Sequence, residues 1–410
     1  MNATTTAAEL DSGTAWRRLA AALALATIGG VGLWSAVVVL PTIQVEFGVD
    51  RAGASIPYTA TMIAFAIGGA LFGRLADRLG IMIPLMIGAV MLCIGYFAAA
   101  ASPSYWGFVG AQAVLIGGLG AATTFGPLVA DISHWFVRRR GIAVAIVASG
   151  NYLAGTIWPP FLQHAIETIG WRHAFMGLGV FCVATMLPIA LLLRRRAPIE
   201  HAPTSSAGAH GVITRLPAPA PVLQAMLVLA GIACCVAMSM PQVHLIAYCA
   251  DLGYGPARGA EMLSILLGLG VVSRLASGLI ADKIGGIGTL ILGSTLQCLA
   301  LLLYLPFDAL VSLYVISGLF GLSQGGIVPS YALIIRQYFP ANEAGGRIGL
   351  VLMSTVLGMA LGGWLSGEIF DATGSYQAAF LNGIAWNLLN MSIALWLLWS
   401  RYRGGTAMAR

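Results

Sequence analysis

Charge is what this sequence has least of. Only 9% of its 410 residues are Asp, Glu, Lys or Arg, while 59% are hydrophobic. Water-soluble domains usually carry about 25% charged residues, so a globule wrapped in water-facing charge is excluded. Reactive and metal-binding patterns are absent too. The six cysteines (Cys93, Cys182, Cys234, Cys235, Cys249 and Cys298) all fall in apolar stretches and show no metal-ligand spacing, so they read as small packing residues. There is no His-Glu-x-x-His, no Gly-x-Ser-x-Gly and no pair of aspartates within an apolar run, which argues against an intramembrane enzyme. No cofactor motif or metal site is expected. The segment "GGLG" at 117–120 lacks the Lys-Ser/Thr of a phosphate loop and lies in a lipid-length helix. The first 16 residues are polar, without the apolar core of a cleavable signal.

What is present is a succession of apolar runs long enough to cross a bilayer, each near the 18 or more residues that a spanning helix needs. The hydropathy pattern predicts an all-α membrane protein with twelve spans, at 18–41, 53–73, 81–101, 105–130, 141–163, 173–193, 222–249, 259–281, 288–308, 311–336, 346–367 and 376–400. An even number places both termini on one side. The net charge of +6 then acquires a topological meaning rather than pointing to nucleic acid. With the termini inside, 17 of the 21 basic residues lie in cytoplasmic segments and Arg51, Arg172 and Arg258 lie in outer loops, the bias that the positive-inside rule requires. The expected location is the cytoplasmic (inner) membrane. The two tails, about 17 and about 10 residues, are too short for a signalling domain, which argues against a sensor.

Residues 194–221, "RRRAPIEHAPTSSAGAHGVITRLPAPAP", are rich in Pro, Ala and Ser and read as a cytoplasmic linker. It separates an N-terminal six-helix half (1–193) from a C-terminal half (222–410). The halves echo each other. "GRLADRLG" (73–80) closes the second span and "GLIADKIGG" (278–286) the eighth; "SHWF" (133–136) ends the fourth and "RQYF" (336–339) the tenth; "TIGWRHAF" (168–175) precedes the sixth and "ATGSYQAAF" (372–380) the twelfth. Two parallel six-helix repeats are an architecture of secondary transporters.

On these motifs the chain resembles the major facilitator superfamily over nearly its whole length. "GRLADRLG" is similar to that family's Gly-x-Leu-Ala-Asp-Arg signature. The resemblance implies a conformational latch at Gly73, Asp77 and Arg78, repeated at Asp282 and Lys283, with Asp77 holding the outward-open state. Within the superfamily the chain looks most like the monocarboxylate and oxalate/formate transporters. That likeness rests on Arg274 in the eighth span, on "SHWFVRRRGIAVAIVASGNYLAG" (133–155) and on "VHLIAYCADLGY" (243–254). It implies alternating-access transport of a small organic anion coupled to a proton. Gly270 stands where mammalian-type members carry an aspartate, the first span has no lysine, and Thr355 lies near the place of the oxalate exchanger's second cation. The last of these argues against a dicarboxylate bridged by two cations, and the first two against carrying over the mammalian proton mechanism.

Arg274 stands alone. No acidic residue lies within seven positions of it, and none falls at a predicted span centre. It lies eight residues, about 12 Å, from Asp282, near mid-depth in a core about 30 Å thick. A charge there is costly and by default lines a pathway. Arginine cannot shed its proton, and its planar fork suits a carboxylate. The expected counter-charge is a monocarboxylate substrate; the alternative is a structural arginine bonded to helix carbonyls. A drug or cation pump is the competing transport reading, and the missing span acids count against it. His244, with an unperturbed pKa of about 6.5, is a candidate for substrate contact and for carrying a proton, or else a neutral histidine bonded within the bundle. Asn151, Tyr152 and Gln324 reach similar depth and are candidate substrate ligands, against interhelical packing. Tyr58 reads as a cavity residue or as an interfacial aromatic anchor. The protein is expected to act as a monomer in the lipid bilayer.

Overall fold

A computed structural model describes residues 10–195 and 217–406. Most of the 194–221 linker, with Arg196, Arg215 and Arg410, lies outside the described residues. The helices are α1 (Gly13–Phe47), α2 (Arg51–Leu79), α3 (Met82–Ala101), α4 (Tyr105–Trp135), α5 (Arg140–Ile169), α6 (Trp171–Leu192), α7 (Ala220–Asp251), α8 (256–284), α9 (286–303), α10 (Leu310–Tyr338), α11 (Ala341–Thr373) and α12 (Tyr376–Thr406).

The helices α8 and α9 arise from one unbroken run, Pro256–Leu303, of 48 residues. Straight, it would reach about 72 Å at 1.5 Å per residue, more than twice the hydrocarbon thickness. Gly285 breaks it, with φ 75° and ψ 172°, a conformation that only glycine adopts without strain. The chain reverses there with no intervening loop. The span count is therefore twelve, and both ends of the described chain emerge on one side. That side is called the terminal face below, and the other the opposite face.

The helices bury large aliphatic and aromatic side chains together with small and polar ones, and still leave many large apolar residues on the outer surface. Ile67, Leu71, Leu279 and Val311 are 55% to 75% exposed, a lipid-facing shell where a soluble protein would place charge. Helices α1–α6 pack together, as do α7–α12. Two long seams join these groups, α2 against α11 and α5 against α8.

Two arginines counted as boundary charges are buried in ion pairs. Arg18 is 6% exposed, donates to both oxygens of Asp131 on α4 at 2.8 Å, and reaches the Leu193 carbonyl. Its guanidinium also lies 4.6 Å from the centre of the Trp135 ring. It thereby ties α1, α4 and the end of α6 together at the terminal face. Arg51, placed in an outer loop by hydropathy, is also 6% exposed. Both arginines are buried and paired with an aspartate, which is how a buried charge is tolerated. Arg274 is therefore not the only inward-facing arginine, but it differs from these two in its partners.

Candidate functional site

Arg274 lies eleven residues before the Gly285 break, about 16 Å along α8, and so near the middle of its span. It is half-buried in the seam with α5. Its Nη1 donates to the Ala148 carbonyl at 3.0 Å, and its guanidinium lies 4.3 Å from the centre of the Tyr152 ring. Its Nε is buried without a hydrogen-bond partner. No carboxylate among the described residues pairs with it, whereas Arg18, Arg51, Arg172, Arg258 and Arg347 each hold an acid. A cation in this setting is held by a carbonyl and an aromatic face, two weak substitutes for a counter-anion.

Gln324 of α10 comes into the same neighbourhood. It is 1% exposed, and its Nε2 lies 3.2 Å from where a Cβ on Gly270 would stand, while the Tyr152 ring lies 3.0 Å from that point. Gly270 is one helical turn before Arg274, so its missing side chain leaves the room in which Tyr152 and Gln324 approach α8. The Oε1 of Gln324 accepts from Gln242 Nε2 of α7 at 2.6 Å, and its own Nε2 is buried and unpartnered. Arg274, Tyr152 and Gln324 thus converge from α8, α5 and α10. Gln242 joins them although nothing in the sequence reading singled it out. Its signal was a lone amide in the apolar run "SMPQVHL".

Other candidates lie elsewhere. Asn151 turns toward α1: its Oδ1 would lie 3.7 Å from a Cβ on Gly30, and its main-chain carbonyl accepts from the Trp34 indole at 3.0 Å. His244 is fully buried within α7–α12. Its Nε2 donates to the Gly363 carbonyl at 2.7 Å, because a carbonyl only accepts, and its Nδ1 lies 3.3 Å from the Tyr376 hydroxyl. Tyr58 is 1% exposed, which overturns the interfacial-anchor reading. Its ring packs on Gly363 across the α2–α11 seam, so Tyr58 and His244 meet the same glycine from different helices. At the terminal face, Asp77, Arg78, Asp282 and Lys283 are exposed, and Gly73 has open space around it. Asp77 and Asp282 form no ion pair among the described residues.

Comparison with known proteins agrees with this architecture. The sequence profile of the Major Facilitator Superfamily matches residues 22–320 and 288–407. Monocarboxylate transporter 13 of Rattus norvegicus is 28% identical over 346 residues, covering 84% of this chain and 78% of that protein. Monocarboxylate transporter 11 of Mus musculus is 29% identical, covering 90% and 84%. Among solved structures, a bacterial homolog of the human lysosomal transporter Spinster superposes with a TM-score of 0.74 at 12% identity, over 95% of this chain and 98% of that one. The nucleoside transporter NupG superposes with a TM-score of 0.71 at 15% identity, over 92% and 99%. These last two speak for the fold alone. Twelve membrane-crossing helices, a charged residue at mid-span and a match along almost the entire sequence place this multi-pass membrane protein among transporters rather than enzymes: the chain belongs to the major facilitator superfamily.

Proposed function

We propose that the protein carries a small organic monocarboxylate across the cytoplasmic membrane by alternating access, coupled to a proton. The observation that carries this reading is Arg274, a mid-span guanidinium on an inter-half seam with no acid beside it among the described residues. A substrate carboxylate would take the place of the Ala148 carbonyl and lie in the fork of the arginine. Gln324 Nε2, unpartnered and beside Gly270 one turn before the arginine, would donate to a second oxygen. Tyr152 would close one wall. The monocarboxylate transporters among the relatives support the same cargo class.

His244 is the proposed proton carrier. In its neutral form the Nδ1 accepts from the Tyr376 hydroxyl; a proton there would reverse that hydrogen bond and turn the hydroxyl toward another acceptor. Asn151 and Tyr58 act as packing for α1 and for the α2–α11 seam. The terminal face is taken as cytoplasmic, from the distribution of basic residues. Asp77, Arg78, Asp282 and Lys283, with Gly73, would close that face in the alternate state. The decisive experiment is a thermal-shift screen of purified protein against short carboxylates such as lactate and pyruvate, with cationic dyes as the competing panel. A ligand at 100 times its Kd stabilises by about 2.7 kcal/mol. Stabilisation by monocarboxylates that vanishes in Arg274→Ala is expected; stabilisation by cations alone would overturn the proposal.

A further inference from the structure

At the opposite face, the first turn of α2 is closed by residues from the other half of the molecule. An α-helix begins with N–H groups that have no partner within it. In α2, Gly53 N donates to the cap residue Asp50 at 2.7 Å. The two preceding amides do not use their own cap. Arg51 N and Ala52 N donate to the two oxygens of Asp371, on the last turns of α11, at 3.0 and 2.7 Å. The Arg51 side chain then crosses to α7, where one Nη donates to both oxygens of Asp251 at 2.9 Å. Its guanidinium lies 4.8 Å from the centre of the Phe370 ring. It also lies 5.7 Å from the centre of the Tyr376 ring, so one residue of the first half engages two aspartates and two aromatic rings of the second.

The backbone is built for this approach. A Cβ on Gly367, one turn before Asp371, would stand 2.7 Å from Ala52 Cα. Gly363, a further turn back, receives Tyr58 in the same way, and Thr59 Oγ1 donates to the Ala360 carbonyl at 2.9 Å. Residues 360, 363, 367 and 371 form one stripe on α11 that lies along the beginning of α2. A shallow recess of about 520 Å³, bordered by Gln44, Val49, Arg51 and Asp251, opens directly above the ion pair.

We infer that Arg51, Asp251 and Asp371 form the lock that holds the opposite face closed, with Asp371 acting as a borrowed cap on the N-terminus of α2. This lock governs the conformational cycle whatever anion is carried. Separating the halves at this face removes the Arg51–Asp251 pair and both borrowed hydrogen bonds together, so the face opens in one step rather than by degrees. The aspartates also favour the positive end of the α2 dipole.

The test uses the full chain in nanodiscs with spin labels at Trp106→Cys and Phe307→Cys, exposed residues of the two halves at that face. The chain without added cysteines, treated alike, gives the labelling background. Inter-label distances are read by double electron–electron resonance. The parent should populate mainly the short distance. Arg51→Gln should lower the ratio of short to long by about tenfold, the scale of a charge-assisted hydrogen bond, and Asp371→Ala by about fivefold, the scale of a lost helix cap. Arg258→Gln, which breaks an exposed pair within one helix, should leave the distribution unchanged. If Arg51→Gln yields no folded protein, Asp251→Asn removes the same ion pair and is read in its place. Parent-like distances in both the ion-pair variant and Asp371→Ala would overturn the inference.

Discussion

Replacing Arg274 with glutamine separates a binding role from a bracing role, because the two predict opposite balances of affinity and stability. As a brace, Arg274 contributes one hydrogen bond to the Ala148 carbonyl and one cation–π contact with Tyr152. The first is worth about 1.5 kcal/mol and the second about 1 kcal/mol. Against this stands the cost of holding a half-buried cation without a counter-charge, also a few kcal/mol. These terms nearly cancel, so Arg274→Gln should change the unfolding free energy by no more than about 1 kcal/mol. As an anion ligand, the guanidinium supplies a bidentate charged pair worth about 3 kcal/mol. Its loss should weaken carboxylate binding about 100-fold, since each 1.4 kcal/mol is tenfold. The assay is paired: uptake of labelled monocarboxylate into proteoliposomes over a concentration series, and thermal unfolding of the same preparation without ligand. A lower Tm with unchanged uptake would show that the arginine braces the seam and would refute the transport role.

His244→Gln should abolish uphill accumulation driven by a pH gradient while leaving carboxylate exchange measurable, as read in proteoliposomes with and without the gradient; unchanged accumulation would remove His244 from the coupling. Gly285→Ala should destabilise by about 1–3 kcal/mol, because alanine is strained at φ 75° and ψ 172°, and thermal unfolding checks it. Gly270→Leu should crowd the Tyr152 ring and the Gln324 amide and raise the KM for uptake about tenfold or more, with a smaller effect on Tm. Asp11, at the terminal face, accepts from the amides of Val137, Arg138 and Arg139, which hold its carboxyl below the ordinary carboxylate range. A depressed folded pKa gives stability that is fully present above the unfolded value of about 3.9 and is lost as pH falls through the folded value. Asp11→Asn should therefore flatten the acid limb of a Tm-versus-pH curve below about pH 4, modestly, since the group is exposed.

The twelve helices were legible because lipid imposes one simple pattern, a long apolar run closed by polar residues. The mid-span position of Arg274 was legible for the same reason, as was its lack of an acid nearby in sequence. What escaped was whatever depends on pairing between distant segments. Arg51 and Asp251 are 200 residues apart, and Arg51 and Asp371 are 320 apart. Each by itself looks like an ordinary boundary charge, and no local period reveals that they meet. Gln242 escaped because an isolated amide carries no direction until Gln324 stands opposite it. The reversal between the eighth and ninth spans was legible from the gap between two apolar runs, but that Gly285 alone makes it without a loop was hidden, since a helix-breaking glycine and a packing glycine are the same letter until the backbone angle is known. Tyr58 shows the converse error: its place near a span end suggested a headgroup anchor, but Gly363, in the last third of α11, leaves room for its ring.

The carbonyl and ring that hold Arg274 in this structure bear on what limits turnover. A carrier whose binding cation is stranded without cargo faces a barrier on every return trip, and such a carrier runs as a strict one-for-one exchanger. Here Ala148 and Tyr152 supply a resident stand-in for the carboxylate. On the proposed role of Arg274 they would let the empty form relax across the seam, and they would be displaced each time cargo arrives. On that role, affinity is surrendered for a passable return stroke, and the balance favours net flux over obligatory counter-transport.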